Sequence, residues 1–181
     1  AIQIRSIKKK PKKKAGRSGD PNYKAWMRRE EYNPFLHNSW MMMGRSQYNN
    51  GDFLGSASTF FYISKHFSWL PRTVLEAKLW QARAYCAMDW LFEAESILNR
   101  VKADELTSKP IRQLYYTTYA DLLIKQKFYD TAEPMLAEAL KLTSGAQKTR
   151  LNFLMGQIQE LMGHKELAYK YYSKAGSSSS A

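Results

Sequence analysis

This sequence predicts an all-α fold of about four helical hairpins stacked into a solenoid, and three observations support it. First, small residues recur at Ser56, Ala94, Ala132 and Ala168, spaced 38, 38 and 36 apart, and another small residue stands twelve before each, at Gly44, Ala82, Ala120 and Gly156. Paired small residues at fixed spacing mark helix crossings, because a larger side chain there would hold the two backbones apart. Second, each pair brackets a turn-like stretch: Gly51-Asp52-Phe53, Asp89-Trp90-Leu91, Lys127-Phe128-Tyr129 and Gly163-His164-Lys165. Third, large residues lie four beyond each second small residue, at Phe60, Leu98, Leu136 and Tyr172, where helical periodicity places the core.

Residues 1–19 come first. They hold six Lys, two Arg and no acid, including Lys8, Lys9, Lys10, Lys12, Lys13 and Lys14 in KKKPKKK, so +8 of the formal +12 sits in this arm and +4 remains for the body. Like charges at this density repel, and the segment is expected to be extended or disordered when free. A solvated arm, an arm that docks on an acidic protein or phospholipid surface, and a nucleic-acid contact are its three candidate uses. Nucleic acid ranks last, since nothing beside the run supplies a stacking platform or a groove-reading helix.

Asp20-Pro21 reads as a helix start, with Asp as cap and Pro in the first turn, for a short helix through about Tyr32 that carries Trp26 and Met27. Asn33-Pro34 ends it, because the residue before Pro is pushed out of the helical region. The hairpin helices are then expected at about 36–49, 54–67, 73–88, 91–102, 110–126, 130–142, 146–162 and 165–175. Asp130 followed by Glu133 suggests a capping box, and Pro134 is tolerable only in a first turn. The solenoid is expected to span residues 20–176, with Ser177 to Ser180 as a fragment end.

At 44% hydrophobic residues the chain can bury a sizeable core, and its twelve Tyr and five Trp are expected to fill gaps between hairpins rather than form a cofactor platform. Cys86 is the sole cysteine, which excludes an internal disulfide and a cysteine-based zinc site. With no His at helical spacing it is expected to be a buried or half-buried structural thiol. His37, His66 and His164 fall in different parts of different hairpins and read as surface or capping residues. No nucleophile with a base, paired catalytic carboxylates, phosphate loop or metal-ligand cluster is recognisable. The reading is a protein that is not an enzyme, needs no cofactor and takes no small-molecule substrate.

The large-small-turn-small pattern resembles the tetratricopeptide hairpin, at a period slightly longer than its usual ~34 residues. That resemblance implies a concave wall built from the first helix of each hairpin. The residues just after each small residue of that helix are Arg45, Arg83, Asp121 and Gln157. Arg45 and Arg83, with Glu76, Asn38, Tyr48 and Asn49 nearby, are expected to grip a carboxylate or an acidic segment of a protein partner. A clamp for chaperone C-termini would need Lys or Asn where Met41, Arg45, Leu79 and Arg83 stand, so that type of receptor is not expected.

A more specific resemblance is carried by IKKKPKKK (7–14), YKAWMRREEYNPFL (23–36), WMMMGRSQY (40–48), GDF (51–53) and STFFYISKHF (58–67). In order and at similar spacing these resemble the PorW/SprE-type lipoproteins of the type IX secretion system, and the hairpins up to about Ala175 agree more loosely. The resemblance implies the early part of a longer repeat protein on the periplasmic face of the outer membrane, held there by a lipid anchor outside this segment. It further implies a scaffold linking the secretion translocon to the PorK/PorN ring, with gliding motility dependent on it in some members. A cochaperone or regulator that binds an acidic peptide on the concave wall is the alternative.

Overall fold

A computed structural model describes residues 35–176. The basic arm, with Lys8 to Lys14, and the helix expected from Asp20 to Tyr32 lie outside the described residues. Eight α-helices are present among the described residues: α1 Phe35–Asn49, α2 Phe53–His66, α3 Pro71–Ala87, α4 Leu91–Leu98, α5 Lys109–Lys125, α6 Tyr129–Leu142, α7 Gly145–Leu161 and α8 Lys165–Gly176. The chain divides into two compact units between Lys78 and Leu79.

In the first unit, α1 and α2 cross at Gly44. The Ser56 hydroxyl donates to the Gly44 carbonyl at 2.9 Å, and a Cβ added to Gly44 would stand 2.7 Å from the Phe60 ring, which is wholly buried. One residue thus offers a carbonyl to the facing helix and leaves room for the ring four positions further on. Trp40 packs on Tyr62 at 4.4 Å, and Thr59 donates to the Gln47 side chain at 2.6 Å, extending the contact along both helices.

The second unit repeats the device. Ala82, Ala94, Ala120 and Ala132 are fully buried, as are Leu98 and Leu136. Where α7 and α8 meet, a Cβ on Gly156 would fall 2.5 Å from the Tyr172 ring. Between the third and fourth hairpins, Ala120, Leu136, Ala139, Leu151, Met155 and Ile158 form one apolar cluster. Burying a large aliphatic side chain in such a cluster contributes about 1.5–3 kcal/mol. Tyr172 departs from the expected core role: it is only half-buried, and its hydroxyl reaches out to donate to Glu160 at 2.7 Å.

All four hairpin turns place one residue in the left-handed region at the same register position: Gly51 (φ 82°), Asp89 (58°), Lys127 (65°) and Gly163 (83°). In each, the next residue's amide bonds back to a first-helix carbonyl at 2.8–2.9 Å, as from Trp90 to Tyr85 and from His164 to Gln159. Glycine adopts this conformation without cost, whereas Asp89 and Lys127 do not.

Three local expectations are corrected. The helix anticipated at 91–102 stops at Leu98, and a 3₁₀ turn, Ala103–Glu105, follows, closed by the Glu105 carboxylate accepting from the Lys102 amide at 2.8 Å. The cap of α6 is Phe128, so Asp130 lies inside the first turn and forms no capping box with Glu133. Pro134 is the sixth residue of α6, in its second turn, where it forgoes one ladder hydrogen bond; it is exposed, so water can serve the carbonyl left over.

Candidate functional site

The residues expected on the binding wall fall in both units. In the first, Arg45 is exposed on α1, directly after the crossing glycine; its Nε donates to the Met41 carbonyl at 3.3 Å and its Nη1 stands 3.9 Å from Glu76. At that distance, with both side chains partly solvated, the pair contributes about 0–1 kcal/mol, so the guanidinium stays cheap to redirect towards another carboxylate. Asn38 is exposed two turns earlier on α1, and Asn49 is exposed at its end. Tyr48 is half-buried and meets Phe53 edge-on at 5.2 Å, which gives it a packing role at the turn. His37 is half-buried against Phe67, at 6.2 Å, and that burial lowers its pKa from 6.5; His66 stacks on Tyr62 at 3.9 Å.

The second unit holds a denser arrangement. Arg83 of α3 lies over the Trp80 ring at 5.1 Å. Asp121 of α5, one position after the crossing Ala120, is the carboxylate on which the neighbouring charges act. Burial pushes its pKa up, while Lys125, Arg83 and Arg150 pull it down and Asp89 adds to the rise. Among the described residues no cation comes within ion-pair distance of it. Lys125 is bound instead to Asp89 at 2.6 Å, a contact that ties the third hairpin to the turn of the second and raises the Lys125 pKa. Cys86 is buried beneath these charges, and burial, assisted by Asp121, pushes its thiol up to about 12. It is therefore inert at neutral pH, in line with a structural thiol.

The register does not distinguish Lys125 or Arg150, and it marks Asp89 only as a turn residue. The spacing of Asp121 and Lys125, four apart on one helix, was a signal available for the first. Arg150 sits six before Gly156, at no position the repeat distinguishes. Gln157, the fourth wall residue, is exposed on α7. His164 lies in the last turn, its Nδ1 2.9 Å from the Gln159 side chain.

Asp121 of α5 feels charges from its own helix and from the first helices on either side, Arg83 of α3 and Arg150 of α7. No group of three or more His, Cys, Asp or Glu among the described residues could hold a metal ion, and no described helix is long and apolar enough to cross a membrane.

Comparison with known proteins adds the fold. The solved chain described as "MamA RS-1 ArsTM double mutant" superposes with a TM-score of 0.58, covering 97% of this chain and 93% of that one at 15% identity. The fold is a tetratricopeptide-like helical solenoid. No protein-family model and no curated protein matches the sequence. The likeness to MamA is one of fold, with the small residues at the crossings as the local reason for it in this chain.

Proposed function

We propose that this protein is a non-enzymatic adaptor that binds other proteins through the exposed first-helix residues of its hairpins. The observation that carries the reading is the set of charges from α3, α5 and α7 acting on Asp121, at the register position where tetratricopeptide hairpins present side chains to a ligand. Arg83 and Arg150 can each donate paired hydrogen bonds to a carboxylate, while Asp121 accepts from an amide or a basic group. A protein segment with acidic side chains matches that pattern. Such recognition requires no cofactor.

Within that class, the finer reading is a scaffold of type IX secretion that links the translocon to the PorK/PorN ring at the periplasmic face of the outer membrane, with a lipid anchor outside this segment. Its support is the resemblance of residues 7–67, especially NPFL (33–36) and WMMMGRSQY (40–48). The second reading, a peptide receptor acting as cochaperone or regulator, is favoured by the mixed charge around Asp121, which suits a short free segment equally well. Crosslinking mass spectrometry in the native host separates the two. Ring or translocon components as main partners support the scaffold, and soluble chaperones as main partners support the receptor.

A further inference from the structure

At the position four before the small residue, the turns of the second and third hairpins expose aromatic residues, Trp90 and Phe128, where the other two place polar ones, and the second adds exposed Phe92. Four positions before the small residue of each second helix stand Asp52, Trp90, Phe128 and His164; two positions before it stand Leu54, Phe92, Asp130 and Glu166. In the first hairpin the Asp52 carboxylate caps its helix, accepting from the Gly55 amide at 2.9 Å. Trp90 and Phe128 occupy the same cap position and make no side-chain cap bond. The residues before them, Asp89 and Lys127, take the left-handed conformation without being glycine. Each turn therefore gives up a cap and accepts backbone strain. Trp90 remains 45% exposed, Phe92 79% and Phe128 54%.

The two turns lie side by side, tied by the 2.6 Å bridge from Lys125 to Asp89 and by Gln126 donating to Glu95 at 3.4 Å. That bridge consumes one charge of each sign. What remains on the turns is the exposed carboxylates of Glu93 and Asp130 against the single ammonium of Lys127, on a chain whose net charge is +12. An acidic rim repels an anionic lipid surface, and a second copy would set Glu93 and Asp130 against the same carboxylates, whereas a protein segment with apolar anchors and basic flanks satisfies both features.

We propose that Trp90, Phe92 and Phe128 form a second docking surface, beside the charges around Asp121, for a partner-protein segment that carries two or more large apolar side chains flanked by Lys or Arg. The aromatic rings supply the apolar anchors, and Glu93 and Asp130 select the basic flanks.

Peptide display panned on the whole chain tests this. The control is the triple variant Trp90→Ser, Phe92→Ser, Phe128→Ser, whose neutral hydroxyls can take the cap role of Asp52 without adding charge to the rim; because Trp90 also stacks on Tyr85 at 5.7 Å, binding is compared below the variant's own melting transition. The expected result is enrichment of peptides with paired large apolar residues and basic flanks, bound at least roughly tenfold more weakly by the triple variant and unchanged by Arg83→Glu. Equal binding by the triple variant, enrichment of acidic peptides, or no enrichment overturns the proposal. So does patch-dependent binding to vesicles of phosphatidylcholine and phosphatidylglycerol, or patch-dependent self-association in sedimentation velocity. Loss of acidic-segment binding on Arg83→Glu bears only on the adaptor wall, so the two surfaces fail independently.

Discussion

Gly44→Ala should destabilise the first hairpin even though alanine is the better helix former. The substitution gains about 0.8–1 kcal/mol of helix propensity. Against that, the new methyl would stand 2.7, 2.9 and 3.0 Å from three atoms of the Phe60 ring, which is wholly buried and has nowhere to retreat. Overpacking of a closed site costs about 1–3 kcal/mol, leaving a net loss of roughly 1 kcal/mol. Phe60→Leu withdraws the clashing ring edge, so the double variant should recover about 1 kcal/mol relative to the sum of the single changes. Gly156→Ala is the internal control: its clash is with Tyr172, whose ring is half-exposed and able to swing outward, so the net effect there should be near zero. Urea titration with hydrogen exchange read over residues 35–66 measures the first case, and the same readout over 145–176 the second. A Gly44→Ala protein more stable than the parent, or single effects that simply add, would refute the crossing-point account of the small residues.

Lys127→Gly should raise stability by about 1 kcal/mol by relieving its left-handed conformation, whereas Gly163→Ala should cost a similar amount; thermal melts compare the two. Pro134→Ala should raise the melting temperature by restoring the missing ladder bond in the second turn of α6, worth up to about 3 kcal/mol. Asp121 has a folded-state pKa raised above 3.8, so the folded protein holds its proton more tightly. Its contribution to stability is fully present below 3.8 and is lost as pH rises through the folded value. Asp121→Asn should therefore be more stable than the parent at pH 7, with the difference shrinking as the solution is acidified, as followed by melts across pH.

Much of the architecture was legible because helix crossings tolerate only small side chains, so Gly44, Ala82, Ala120 and Gly156 betray the register without any contact being known. The turn positions followed from the same register. Phe128 as cap was not legible, since nothing in its chemistry caps a helix and Asp130 offered a more conventional start. Leu98 as the end of α4 was equally hidden, because the Lys102–Glu105 closure depends on local geometry that pattern alone does not carry. At the candidate site, Arg45, Arg83 and Asp121 came from the register. Arg150 came only from folding, as its approach to Asp121 is made by a different helix. The register places Trp90 and Phe128 in turns, and aromatics in general are expected to fill gaps between hairpins; only their accessibility separates Trp90 and Phe92 from buried Leu98.

The most direct test of the adaptor account measures binding of this protein to purified PorK/PorN ring by interferometry, with the parent and the Arg45→Glu, Arg83→Glu double variant side by side. The account predicts saturable binding by the parent that the charge reversal weakens. Absence of binding to the ring together with charge-dependent capture of soluble chaperone segments would contradict the secretion scaffold, and binding unaffected by reversal at both arginines would remove the wall as the site.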